Sequence, residues 1–253
     1  MTKSPTIHIV LPCYNEELNL RPLFENFESI FSLIANLGLT RKYVIVDDGS
    51  KDKSPEILKE LAQKYPLHVI THNPNKGLGE TIKDGLQYAA ETSDPDDIII
   101  SMDADNTQPA KLIFNMILKV LEGNEVVIAS RYRYGAKVVG LAYYRELISI
   151  CAGILFKVSY NIKDVRDYTC GFRAYKASVL KAAFTKYGDK FIEQKGFQCM
   201  AEILLKLKRV NKHTIFCEVP MVLRYDLKGG ESKMKVFKTI VDTVKMLILY
   251  RFR

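Results

Sequence analysis

Two aspartates one residue apart stand in Met102-Asp103-Ala104-Asp105, with Asn106, Thr107 and Gln108 following. Carboxylates about 5 Å apart at an effective dielectric near 20 repel by roughly 3 kcal/mol, so a buried pair asks for a proton or a cation between them. Oxygen ligands on a short turn suit Mg2+ or Mn2+, which keep several waters and recruit substrate phosphates. An ion held there neutralises charge on a nucleotide diphosphate leaving group. An exposed acidic turn is the plain alternative, because D-x-D alone is a common pattern.

Two other segments carry acids beside turn residues: Leu11-Pro12-Cys13-Tyr14-Asn15-Glu16-Glu17 and Val46-Asp47-Asp48-Gly49-Ser50. A carboxylate there can accept hydrogen bonds from a nucleobase or ribose, and Tyr14 offers a ring for stacking. A polar turn in which Asp47 or Asp48 caps the next helix is the other reading. The stretch Asn75-Lys76-Gly77-Leu78-Gly79-Glu80 has G-x-G but neither the third glycine of a dinucleotide fingerprint nor the Gly-Lys-Ser/Thr ending of a P-loop. It reads as a helix start packed close to a sheet, with Lys76 available to a nucleotide.

The elements that must position these residues alternate. Short β-branched runs precede longer amphipathic stretches: Ile7–Leu11 then Glu17–Leu37, Tyr43–Val46 then Pro55–Lys64, His68–Thr71 then Gly79–Ala90, Ile98–Met102 then Ala110–Leu121, and Val126–Ala129. Strands joined by helical crossovers imply an α/β fold with a mainly parallel sheet and helices on both faces. Ligands of such sheets bind outside the carboxyl ends of the strands, where all three acidic segments fall. Ser54 before Pro55 marks a helix start, and Glu56 supplies early negative charge. Beyond residue 130 the pattern is less regular. Tyr143–Asn161 and Gly196–Lys208 read as helices, Thr214–Pro220 as a strand, and Ser232–Tyr250 as a C-terminal amphipathic helix. With no linker or repeat, the 253 residues read as one domain. Its first half, about 6–130, holds the segments suited to a nucleotide and a metal, and its second, about 131–253, is the less regular remainder.

Composition narrows the classes. At 47% hydrophobic and 26% charged the chain excludes disorder and collagen-like repeats. The longest uncharged apolar run, Leu147 to Phe156, is ten residues, too few to span a membrane. Nothing at the N-terminus reads as a cleaved signal. The five cysteines, Cys13, Cys151, Cys170, Cys199 and Cys217, are odd in number and lack C-x-x-C, which points to a reducing cytoplasmic setting. His8, His68, His72 and His213 lack metal-ligand spacing and read as structural. Residues 1–126 carry a net −7 and residues 127–253 a net +15. An acidic half suits a cation, and a basic half attracts phosphates or an anionic membrane.

Taken together, Pro12-x-Tyr14-Asn15-Glu16, Asp47-Asp48-Gly49-Ser50, Asp103-x-Asp105 and Ser130-Arg131-Tyr132 resemble the nucleotide-sugar glycosyltransferases of the GT-A fold. Asp167-Tyr168-Thr169-Cys170-Gly171-Phe172-Arg173 and Gly230-Glu231-Ser232-Lys233 narrow the resemblance to the dolichyl-phosphate mannosyltransferase-like branch. It covers about residues 6–250. The resemblance implies that Pro12, Tyr14, Glu16, Val46 and Asp48 form the nucleotide pocket, and that Asp103, Ala104 and Asp105 form the diphosphate and metal segment. It implies that Arg131, Arg224 and Lys233 hold donor and acceptor phosphates, with Arg145 beside them, and that Arg173 and Glu202 support them. Some relatives place a glutamine ligand two residues after the second aspartate; here that position is Thr107 with Gln108 next to it, so both are candidates for the third metal ligand.

The activity implied by the resemblance is transfer of a sugar, with mannose from GDP-mannose the leading donor, onto a polyprenyl phosphate with inversion. The acceptor oxygen is already ionised, so no Ser/His or Cys/His pair is required. The chemistry falls to Asp105 with the ion and to Arg131, Arg224 and Lys233 orienting an anionic acceptor. A UDP-sugar donor or a saccharide acceptor is the variant reading. Val236, Ile240, Val241, Val244, Leu247 and Ile248 share one helical face, and Lys235, Lys238, Asp242 and Lys245 lie mostly opposite. Spanning would bury charges at roughly 2.5–3.5 kcal/mol each, so the helix either lies in the interface of the cytoplasmic membrane face or packs on the protein's own core. A small membrane subunit is a further partner to consider. The rival from another class is a module that binds anionic membrane or nucleic acid. It accounts for the basic half and leaves Asp103-x-Asp105 without a purpose, and the aromatics do not interleave with basic residues as a stacking platform would, so nucleic acid is not an expected partner.

Overall fold

A near-continuous apolar strand makes sense only where both sheet faces are covered, and Thr6–Cys13, sequence TIHIVLPC, is such a strand: only Pro12 within it is more than slightly exposed. In the computed structural model, residues 4–36, 38–140, 153–227 and 245–246 are described. The elements run β1 Thr6–Cys13, α1 Leu20–Asn36, β2 Thr40–Asp47, α2 Ser54–Ala62, β3 Leu67–Thr71, α3 Leu78–Thr92, β4 Ile98–Ser101, α4 Leu112–Leu121, β5 Val126–Ser130 and β6 Lys137–Val139. They continue with α5, whose described part is 153–160, then β7 Arg173–Lys176, α6 Ala177–Tyr187, α7 Cys199–Val210, β8 Phe216–Pro220 and β9 Val222–Arg224.

Seven strands form one sheet in the order β3-β2-β1-β4-β7-β5-β8. Pairing is parallel except around β7, which runs antiparallel between β4 and β5. Strands β6 and β9 pair in parallel as a separate ribbon. The order turns back between β1 and β4, with Val10 opposite Ser101 on one side of β1 and Cys13 opposite Asp47 on the other. Such a reversal opens the crevice in which α/β sheets bind ligands.

Helix α1 buries Leu20, Leu23, Phe24, Phe27, Ile30 and Phe31, spacings of three and four that place them on one face. Their rings meet Tyr43 of β2 and Tyr65, with Phe24 and Tyr43 centroids 4.9 Å apart. Helix α3 approaches the sheet through Gly85, where a Cβ would lie 2.6 Å from Val10 Cγ1. The glycine of α3 that packs against the sheet is therefore Gly85, further along the same helix than the G-x-G stretch expected to serve that purpose.

Other expectations shift by a few residues for local reasons. Ser54 is the first residue of α2 rather than its cap; Lys53 is the N-cap, and the Ser54 hydroxyl accepts the Glu16 N–H at 2.8 Å. The helix expected over Gly196–Lys208 is α7, and the strand over Thr214–Pro220 is β8. Of the helix read over Tyr143–Asn161, residues 153–160 are helical and 143–152 lie outside the described residues. Of that read over Ser232–Tyr250, only 245–246 are described, and both are helical. No helix among the described residues is long and apolar enough to cross a membrane.

Candidate active site

The loops after β1 and β2 are stitched together. Asn15 N–H donates to Ser50 Oγ at 2.9 Å, Glu17 N–H to Asp52 Oδ2 at 3.0 Å, and Lys51 N–H to Asn15 Oδ1 at 2.8 Å. Asn15 takes a left-handed backbone with φ 53, a conformation asparagine tolerates. Glu16 is held by Asn19, whose amide donates to Oε2 at 2.7 Å. Tyr14 and Glu16 thus stand beside Asp48, whose N–H donates to Cys13 O at 2.8 Å. Pro12 and Val46 lie within β1 and β2 and face each other across the pair, Val46 fully buried.

Asp48 is itself buried, and its carboxylate is densely bonded: Oδ1 faces His72 Nδ1 at 2.7 Å and accepts Lys76 N–H at 2.8 Å, and Oδ2 accepts Gly77 N–H at 2.9 Å. The other ring nitrogen of His72 faces Asp84 Oδ2 at 2.9 Å. Sequence reasoning misses His72 because a lone histidine has no spacing to announce it. Its place immediately after β3, at the ligand edge, is the available signal.

The D-x-D turn follows β4. Gln108 grips Asp103 twice: its Nε2 donates to Asp103 Oδ2 at 2.7 Å, and its Oε1 accepts the Asp103 N–H at 3.0 Å. Thr107 does the same for Asp105, whose Oδ1 accepts Thr107 Oγ1 at 2.7 Å and Thr107 N–H at 3.2 Å. Asp105, Thr107, Gln108 and Ala104 are buried and Asp103 is partly exposed. Asn106, with φ 60, turns the chain and donates through Nδ2 to Asn19 O at 3.2 Å, tying the turn to the start of α1. In this arrangement Thr107 and Gln108 orient the two carboxylates.

Arg131 follows β5 and is locked to Asp167. Its Nε donates to Oδ2 at 2.8 Å, Nη2 to Oδ1 at 2.7 Å and to Thr169 Oγ1 at 2.6 Å, and its N–H to Oδ2 at 3.0 Å. Burial works against both charges, but their mutual attraction prevails: the guanidinium is held well above its usual range and the carboxyl of Asp167 below its own. Beneath them Glu218 of β8 accepts the N–H groups of Arg166 at 2.6 Å and Asp167 at 2.7 Å, and burial pushes its carboxyl upward. The loop preceding β7 then reaches the end of β4, just ahead of the D-x-D turn, since Ser101 Oγ donates to Gly171 O at 2.7 Å. Arg173, fully buried, donates to Met200 O at 2.6 Å and Tyr168 O at 2.9 Å and braces the same loop. The sequence marks Asp167 only as the start of a family motif and gives no sign of its pairing with Arg131, 36 residues away, and Glu218, whose partners lie 51 and 52 residues away, escapes it altogether.

Arg224 ends β9. Its N–H donates to Thr107 O at 2.9 Å, which seats it beside the D-x-D turn, and its exposed guanidinium pairs with Asp226, Nη2 to Oδ2 at 2.6 Å. Lys233 and Arg145 lie outside the described residues. The loops carrying Tyr14, Asp48, Asp103, Asp105 and Arg131 therefore share one edge of the seven-stranded sheet, and Arg224, at the end of the separate β6–β9 ribbon, joins them through Thr107.

Two or more hard carboxylate oxygens on a constrained turn fit Mg2+ or Mn2+ rather than a soft ion. Among the described residues no group of three or more His, Cys, Asp or Glu side chains could enclose a metal, so an ion held by Asp103 and Asp105 would complete its shell from water and phosphate. Burial pushes the Cys170 and Cys199 thiols up to about 12, which leaves neither as a nucleophile at neutral pH.

The chain is similar to several known proteins in sequence and in fold. The chain is 32% identical over 240 residues to a dolichol-phosphate mannosyltransferase of Pyrococcus furiosus, covering 94% of this chain and 62% of the relative. It is 29% identical over 233 residues to an undecaprenyl-phosphate mannosyltransferase of Micrococcus luteus, covering 89% and 86%. The chain thus spans under two thirds of the length of the Pyrococcus relative. Its fold matches that of mannosyl-3-phosphoglycerate synthase from Rubrobacter xylanophilus, with TM-score 0.60 at 16% identity over 98% of this chain and 74% of that one. It also matches a mannosyltransferase from Pyrobaculum calidifontis in complex with GDP-Man and Mn2+, with TM-score 0.55 at 14% identity over 99% and 72%. The family model for glycosyl transferase family 2 matches residues 8–184, from early in β1 through the ligand edge and into α6, and on that match the chain belongs to glycosyl transferase family 2.

Proposed function

We propose that this chain transfers a sugar, mannose from GDP-mannose, onto a polyprenyl phosphate with inversion at the anomeric carbon. The observation that carries the reading is the seating of Arg224 against Thr107, which brings a cationic strand end to the turn holding Asp103 and Asp105. The names of the Pyrococcus and Micrococcus relatives support the acceptor class.

In this reading Tyr14, Glu16 and Asp48 receive the nucleoside, alongside Pro12 and Val46, and Asp103, Ala104 and Asp105 line the diphosphate. Asp103 and Asp105 would hold a divalent ion, which when bound would supply charge neutralisation for a departing diphosphate. Gln108 and Thr107 keep those carboxylates in place, so no reorganisation is needed when negative charge develops. Arg131, fixed by Asp167, together with Arg224 and Lys233 orients the acceptor phosphate. The acceptor oxygen attacks as an anion, so no side chain has to remove a proton from it.

The protein associates with the membrane surface from its cytoplasmic side. On α5, Ile154, Leu155 and Val158 are exposed while Phe156 is buried, an apolar face suited to the interfacial region. Flotation with anionic liposomes at low salt is the check on that point. The decisive experiment incubates the protein with radiolabelled GDP-mannose and UDP-sugars, a short polyprenyl phosphate and Mg2+ or Mn2+, then extracts lipid into organic solvent. Label in the organic phase from GDP-mannose, dependent on the ion, is expected. No labelled lipid from any donor would overturn the reading.

A further inference from the structure

One buried charge cluster lies apart from these loops. On α7, Glu202 is fully buried and Lys206 nearly so, and they pair at i,i+4 with Nζ to Oε1 at 2.7 Å. Glu202 Oε2 accepts the N–H of Glu193 and of Gln194, both at 2.9 Å. Lys206 Nζ also donates to Glu193 Oε2 at 2.9 Å and to the carbonyl of Lys190. A buried ion pair is a weak source of stability compared with apolar packing of equal volume. What this pair does instead is fix the backbone of residues 190–194.

The segment so fixed continues into the site. Lys195 O accepts the N–H of Gly79, the second residue of α3, at 3.0 Å. The contact is tight, since a Cβ on Gly79 would lie 1.9 Å from Gln194 O. The neighbouring Gly77 is the residue whose N–H holds Asp48 Oδ2. At the other end, Met200 Cε and Asp103 Oδ1 converge on Gly171, 3.3 and 3.7 Å from where its Cβ would stand. Residues 193–200 therefore reach from the start of α3, next to the amides that hold Asp48, to Gly171, on which the first aspartate of the D-x-D turn also closes.

We propose that Glu202 and Lys206 are positioning residues for the donor, holding residues 193–198 as a strap that joins the nucleotide pocket to the diphosphate segment. This rests on the donor reading above. Two variants attack the strap from opposite sides: Glu202→Ala removes the acceptor for the Glu193 and Gln194 amides, and Gly79→Ala drives a methyl into the Gln194 carbonyl. Each is expected to raise the donor KM about tenfold, with the acceptor KM and kcat within about twofold, the signature of lost binding on one substrate alone. Amide exchange at Glu193 and Gln194 should accelerate in both. Equal rises in both KM values, or a donor KM unchanged in folded Gly79→Ala, would overturn the strap. Should Glu202→Ala fail to fold, Gly79→Ala decides alone, since it leaves the buried pair intact. Calorimetry of the unaltered protein with GDP and Mg2+ separates the two layers: no binding there removes the donor reading, whereas normal binding with an indifferent Gly79→Ala removes only the strap.

Discussion

Each edge of the sheet holds a buried histidine beside an aspartate. At the amino-terminal edge, His8 Nε2 lies 3.2 Å from Asp97 Oδ2, and Asp97 also accepts the N–H groups of Thr6 at 2.7 Å and Asp94 at 2.9 Å. At the carboxyl edge, His72 lies between Asp48 and Asp84, and Asp48 accepts the amides of Lys76 and Gly77. Residue types and burial are nearly the same. The first set closes the starts of β1 and β4 and meets no ligand loop, whereas the second belongs to the loops after β2 and β3. Strand direction, not side-chain chemistry, separates a structural cluster from a site.

The sharpest way to break that contrast is at the carboxyl edge. Asp105→Ala should lower kcat by about 10²–10³-fold, the scale for removing one preorganised electrostatic group, with the fold intact by circular dichroism. Transfer at the unaltered rate would remove the site assignment. Asp167→Ala comes next: it leaves the largely buried Arg131 guanidinium without its carboxylate, a change expected to cost about 3–5 kcal/mol in urea unfolding and to impair transfer as well.

A paired comparison of the histidines is of middle size. His72→Ala should raise the donor KM about tenfold, whereas His8→Ala should leave it unchanged and lower stability by about 1–3 kcal/mol through the unmatched Asp97. Equal kinetic effects would erase the distinction between the edges.

The smallest effect is in acid. Burial holds the His8 pKa below its ordinary value despite Asp97, so the folded protein binds its proton less readily than the unfolded chain. Stability from this residue is complete above about pH 6.5 and declines as pH falls through the folded pKa. His8→Gln should flatten that part of a stability profile, while the donor KM at neutral pH stays as it was.

Much of this is legible in the sequence, for a physical reason. Parallel strands buried on both faces must be apolar throughout, so Ile98–Ser101 and Val126–Ser130 announce themselves, and a turn after such a strand falls at the ligand edge. That logic locates Tyr14, Asp48, Asp103 and Asp105 without coordinates. It does not reach β7, because Arg-Ala-Tyr-Lys is four residues with charged ends and no alternation to read. Nor does it reach Asp167, whose meaning lies in a guanidinium 36 residues back along the chain, or Gly79, whose close neighbour is a carbonyl of residue 194. Contacts of that sequence separation leave no periodic trace. Thr107 and Gln108 show a subtler limit: sequence marks them as oxygen donors beside the acids, while their geometry makes them the hands that orient those acids.

The antiparallel strand β7 has a bearing on how such chains could be recombined. It is wedged between β4 and β5, and its leading loop carries Asp167 to Arg131 and Gly171 to Ser101. A cut near residue 131 would strip β4 and β5 of the neighbour that satisfies both their inner backbone edges, so the back half is no portable cassette. Chimaeras that aim to graft a new acceptor preference should exchange the turns at the strand tips and leave the weave of the sheet whole.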